Sequence, residues 1–163
     1  MSTESDDIMI DPRGPRFGAA ITMVGLAIAL WLALPAATAP GSLDAGWWLV
    51  LVLWASFLWG TIAGPSKHPY GALFRALVRP RLQPPAYLEP ESPPRFAQGV
   101  GLLVTSVGLL LHLLVVPWGL VIATAIAFIA AFLNAIFGLC LGCEMYGLLV
   151  RLGIIRGASP SAS

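Results

Sequence analysis

WGLVIATAIAFIAAFLNAIFGLCLGCEMYGLLV, residues 118–150, is 33 residues long and holds only one Asp, Glu, Lys or Arg, which is Glu144. As one continuous helix it would extend about 50 Å, against a bilayer hydrocarbon core of ~30 Å. Either the helix projects into the cytosol or it breaks. Gly138 and Gly142 are the natural break points, and they bracket Cys140. The stretch therefore reads as a membrane span over about 119–139, followed by a Cys140-x-x-Cys143 pair at the membrane edge.

Working outward, Pro117-Trp118 leaves room only for a tight hairpin, so a third span occupies about 96–116. Upstream, apolar stretches at about 17–36 and 47–63 supply the first and second spans, the latter opened by Trp47 and Trp48 at headgroup depth and closed by Gly64-Pro65. The connecting loop, 64–95, divides in two. Tyr70 to Val78 suits a short interfacial helix, with Arg75 and Arg79 four apart. The remainder carries Pro80, Pro84, Pro85, Pro90, Pro93 and Pro94 and should be extended. An alternative for 70–78 is a continuation of the second span into water. Residues 1–15, with Glu4, Asp6, Asp7 and Asp11, read as a flexible acidic cytosolic arm, and 153–163 as a disordered tail. Ala37-Thr38-Ala39 resembles a signal cleavage site, but the first apolar stretch exceeds the usual ~7–15 residues of a signal and the segment before it is acidic. An uncleaved anchor is expected.

The expected fold is an all-α membrane protein of four transmembrane helices. The chain is 58% hydrophobic and 10% charged, against about a quarter charged in soluble domains. Its net charge of +1 gives no reason to expect nucleic acid as a partner; the expected partner is the lipid bilayer. All nine Lys and Arg residues fall on one side of the four spans: Arg13 and Arg16; Lys67, Arg75, Arg79, Arg81 and Arg95; Arg151 and Arg156. Retention of basic residues inside then puts both termini, the long loop and the two cysteines on the cytosolic side of the inner (plasma) membrane.

A repeat is present as well. Pro15-Arg16-Phe17 opens the first span and Pro94-Arg95-Phe96 the third, 79 positions later; Tyr70-Gly71 follows the second span and Tyr146-Gly147 the fourth, 76 positions later. The expected architecture is two repeated helical hairpins about an axis along the membrane normal. The second offset equates Cys143 with Lys67 and Glu144 with His68. If equivalent positions face the axis, a cytosolic-side site forms from Cys140, Cys143, Glu144, Lys67 and His68.

Cys140 and Cys143 are the only thiols of the chain, too few for a secreted disulfide framework. Helical spacing of three puts both sulfurs on one face, within reach of each other. A neighbouring Lys67 or His68 cation, or the N-terminus of a helix restarting at Gly142, would favour the thiolate; lipid and Glu144 oppose it. Cys143, nearer to water, is the expected attacking thiol and Cys140 the resolving one. Inert cysteines in close helix packing are the alternative. Zinc would need four ligands, with His68 and Glu144 or a second copy in a homo-oligomer completing the set, so no metal and no cofactor are expected. Glu144 reads as paired with Lys67 or Arg151, or as a proton relay. Asn134 should bond a neighbouring helix, His112 should be a polar helix end, and Gly99, Gly101, Thr105, Ser106 and Gly108 should form a packing face.

D-P-R-G-P-R-F at 11–17, P-P-R-F-A-Q-G-V-G at 93–101 and F-G-L-C-L-G-C-E-M-Y at 137–146 give the chain its resemblance to a family. It resembles the bacterial integral membrane family called domain of unknown function 4395, in its actinobacterial form, from Asp11 to Arg151. That resemblance implies sulfur or thiol metabolism alongside thioredoxin-like or rhodanese-like sulfurtransferase partners, and carries over only Cys140 and Cys143. Three functions are expected on these grounds: a membrane dithiol that accepts electrons or sulfane sulfur from a cytosolic partner, a small transporter subunit for a sulfur species, or a structural membrane tether with inert cysteines.

Overall fold

The computed structural model describes residues 8–155. Four helices are long and apolar enough to cross a membrane: α1 (Arg13–Ala33, continued by a tight turn to Ala36), α2 (Ala45–Ala63), α4 (Ser92–Leu113) and α5 (Gly119–Phe132, continued as a π-turn to Phe137). Two short helices accompany them: α3 (Pro69–Leu73, continued as a π-turn to Val78) and α6 (Leu141–Arg151). The spans pack in a ring, α1 on α2, α2 on α4, α4 on α5 and α5 on α1. Buried Leu26, Ala29, Val50, Leu53, Leu109, Leu120 and Ala127 fill its middle. Where lipid is as apolar as a side chain, small residues let backbones approach. A β-carbon at Gly108 would stand 2.6 Å from that of Ala123, and one at Gly101 would meet the Phe57 ring at 2.5 Å. The expected packing face on α4 is thus in use, and Ser106 also accepts the Trp54 indole N–H at 2.7 Å.

One end of the ring gathers the starts of α1 and α4 with the ends of α2 and α5. There Arg95 donates to the Thr61 and Ile62 carbonyls at 2.8 and 2.7 Å, closing the last turn of α2. The connections at the other end, 34–44 and 114–118, contain no Lys or Arg. That far end is clasped. His112, buried to 2% exposure, has Nε2 2.8 Å from the Ser42 carbonyl and 3.3 Å from the Gly41 amide, and Trp118 donates its amide to Ala37 at 2.7 Å. Expected only as a polar helix end, His112 is the pin of this clasp.

Three local features matter for the site. The second half of the acidic arm is held: Met9–Ile10 (β1) pairs antiparallel with Glu89–Pro90 (β2), while Glu4, Asp6 and Asp7 lie outside the described residues, as does the tail from 156. Buried Asp11 takes Arg13 Nε and Nη2 at 2.9 and 2.8 Å, and this pairing holds its carboxyl below the usual aspartate range. The chain does not run on from α2 into water. It turns at Gly64 (φ 82°), where the buried Glu91 carboxylate leaves no room for a side chain and accepts the Ser66 amide at 2.8 Å. Finally, the span after Trp118 breaks at Gly138 (φ 71°), a left-handed conformation that glycine adopts without strain. Gly142 is no break; it lies inside α6.

Candidate dithiol site

After Gly138, Leu139 and Cys140 run without regular structure, and Cys140 (φ −87°, ψ 97°) forms the N-cap of α6. Its sulfur accepts the Cys143 amide at 3.3 Å, the post usually taken by a Ser, Thr or Asp oxygen. The helix restarts one residue before Gly142, because Cys140 supplies the cap. Cys140 and Cys143 are joined as a disulfide, with α-carbons 5.2 Å apart. Both residues are half-buried.

Packing fixes where this pair sits. Gly142 lies flat on α4, where a β-carbon would come within 2.5 Å of that of Ala97, and the Tyr146 and Phe96 rings stand 5.7 Å apart. The opposite face of α6 leaves Met145, Leu148 and Leu152 exposed, as an interfacial helix requires. Glu144 lies exposed in the first turn, where the helix dipole favours a carboxylate. Its expected pairing with Lys67 or Arg151 is not formed.

Lys67 and His68 occupy another place. Lys67 is exposed, and its carbonyl accepts the Trp59 indole N–H at 3.3 Å. His68 is 5% exposed and N-caps α3: Nδ1 accepts the Tyr70 amide at 3.2 Å, while Nε2 lies 3.1 Å from the Ser56 carbonyl and 3.2 Å from its hydroxyl. Burial pulls the His68 pKa down, against a smaller upward pull from the Ser56 carbonyl. Helix α3 packs on α1 and α6 on α4. Among the described residues, no hydrogen bond or ion pair joins Lys67 or His68 to Cys140, Cys143 or Glu144. Nor do three His, Cys, Asp or Glu side chains gather anywhere among them.

A cation that spacing did not bring forward lies against the turn that precedes the dithiol. A β-carbon at Gly138 would stand 3.3 Å from the guanidinium carbon of Arg16, two residues before Cys140. The Pro-Arg-Phe match that pairs Arg16 with Arg95 was the available signal, since each Arg meets the end of a span. Asn134, in the π-turn, makes no side-chain hydrogen bond among the described residues, contrary to expectation.

The model of one protein family, described as domain of unknown function (DUF4395), matches residues 10–151. The chain belongs to that family. The match takes in all four DUF4395 spans, the β1 segment from Ile10 and both cysteines. No curated protein and no solved structure matches the DUF4395 chain.

Proposed function

We propose that the chain is a membrane-held dithiol that exchanges electrons with a cytosolic thioredoxin-like partner. The observation carrying this reading is the Cys140 sulfur at the N-cap of α6, accepting the Cys143 amide while bonded to Cys143. A helix N-terminus favours negative charge, so Cys140, rather than the Cys143 expected from depth alone, is the better thiolate. In the reductive direction a partner thiolate attacks the Cys140 sulfur and expels the Cys143 thiolate. The partner's second thiolate then attacks its own bridged sulfur and releases Cys140. Two electrons and two protons pass to the pair, and the partner leaves as a disulfide. With the pair reduced, the Cys140 thiolate would attack the outer sulfur of a rhodanese-like persulfide, forming a Cys140 persulfide and releasing the donor thiolate.

The site's orientation is part of the proposal. Both termini and the disulfide face the cytosol, supported by the absence of Lys and Arg from 34–44 and 114–118. A twofold repeat of helical hairpins is supported by the shared placement of α3 on α1 and α6 on α4, and of Arg16 and Arg95 at span ends.

The test is a trapping experiment. A cytosolic thioredoxin with its resolving cysteine changed to Ser and its remaining thiol activated as the mixed disulfide with thionitrobenzoate should become linked to the Cys143→Ser protein in membranes, the Cys140 thiolate attacking the thioredoxin sulfur and displacing thionitrobenzoate, and not to Cys140→Ser. An impermeant maleimide should label the reduced pair in inverted vesicles and not in right-side-out ones. Labelling from the outer face, or no mixed disulfide with either variant, sinks the reading.

A further inference from the structure

Away from the dithiol, a cavity of about 370 Å³ opens at the basic end, between the β1 strand, the start of α1 and the α3 segment. Its size lies within the ~300–1,000 Å³ typical of small-molecule sites, and its walls are of two kinds. Met9, Phe74 and Leu88 give one apolar side; Asp11, Ser66, Arg75 and Arg79 give the other. The charges do not cancel there. Asp11 is held by Arg13 in two contacts of 2.9 and 2.8 Å, with Arg79 more distant at 3.7 Å. Arg75 uses Nη1 on the Ser66 carbonyl at 2.8 Å and is otherwise exposed. The Ser66 hydroxyl is buried and has no hydrogen-bond partner, an exception among buried polar atoms.

We propose that this cavity binds the phosphate headgroup of an anionic amphiphile, with Arg75 and Arg79 on the phosphate and Ser66 turning its hydroxyl to it. A guanidinium presents a planar fork of donors that matches phosphate oxygens two at a time, and two forks against one engaged carboxylate leave an excess of positive charge. The acyl portion has a surface to follow, because Leu73 and Leu77 on the same segment are 41% and 51% exposed.

The test uses the full chain in a neutral detergent, titrated with short-chain phosphatidylglycerol, phosphatidylcholine of equal chain length, and inorganic phosphate. Binding is read from tryptophan fluorescence. Phosphatidylglycerol should bind at least about tenfold more tightly than phosphatidylcholine, and Arg75→Gln with Arg79→Gln should remove that preference. Saturation by inorganic phosphate, with the same dependence on both arginines, would support the phosphate site and assign its source to a soluble anion. Equal binding of the two lipids, or a preference that survives both substitutions, overturns the proposal. A photoreactive phosphatidylglycerol on the unaltered chain guards against a misfolded variant. Its label should concentrate on peptides 8–18 and 65–79, and label spread evenly over the four spans also overturns it.

Discussion

Cys140 and His68 hold the same post in two helices. Each is an N-cap with non-helical backbone, each follows a glycine of positive φ (Gly138, 71°; Gly64, 82°), and each accepts an amide hydrogen of its own first turn, from Cys143 at 3.3 Å and Tyr70 at 3.2 Å. One cap is a sulfur that can gain or lose a bond; the other is a nitrogen that can gain or lose a proton. Both are therefore caps with chemistry attached.

For Cys140, the cap and the redox role separate by substitution. In reductant, Cys140→Ser should keep α6 capped and unfold at or above the midpoint of the unaltered protein. Cys140→Ala should lose about 0.5–1 kcal/mol. Thermal unfolding of the three reduced proteins in one detergent checks the order, and Ala equal to Ser would contradict the capping role.

For His68, the sign follows from burial. Its folded pKa lies below the ordinary 6.5, so the denatured state binds more protons once pH falls below that value. The stabilisation is whole above pH 6.5 and is lost as pH drops from there toward the depressed folded value. Protonation also removes the Nδ1 acceptor from the Tyr70 amide. The unfolding midpoint should fall between pH 7.5 and 5.5, and His68→Asn, a cap that does not titrate, should flatten that fall.

Gly142 and Ala97 form a contact that allows no added carbon. Gly142→Ala places a β-carbon 2.5 Å from that of Ala97 and should cost about 1–3 kcal/mol, as overpacking does. Ala97→Gly on the same chain should restore little of it, because the added β-carbon would still stand 2.6 Å from the Ala97 α-carbon. A Gly142→Ala protein that unfolds at the midpoint of the unaltered chain would contradict the docking of α6 on α4.

Arg16 should matter to the thiol more than Lys67 does. Arg16→Gln should slow alkylation of the reduced Cys140 at pH 7 by about threefold, by removing a nearby cation that favours thiolate. Lys67→Gln should leave the rate unchanged. Iodoacetamide kinetics on the Cys143→Ser protein measure both.

Much of this was legible in the chain because each signal was local. Twenty-residue apolar stretches announce the spans, and Gly138 marks the break before Cys140. The expected five-residue site rested instead on a long-range premise, that repeat-equivalent positions face a common axis. Here α3 folds back on α1 and α6 on α4, so His68 is buried against Ser56 and the Arg16 guanidinium lies against Gly138, two residues before Cys140. No periodicity encodes that choice. It is made by contacts such as Gly142 on Ala97, where the absence of a side chain lets α6 lie on α4. His112 was under-read for a related reason: its partners are backbone groups of Gly41 and Ser42, which carry no signature in residue type.

The His112 clasp has a mechanical corollary. The ring is tied at both mouths, by His112 on Ser42 at one and by Arg95 on Thr61 and Ile62 at the other, while the thiol pair lies beyond the Gly138 break. Opening or closing of the thiol pair should therefore leave the four rods in place and be felt first in the α6 cap.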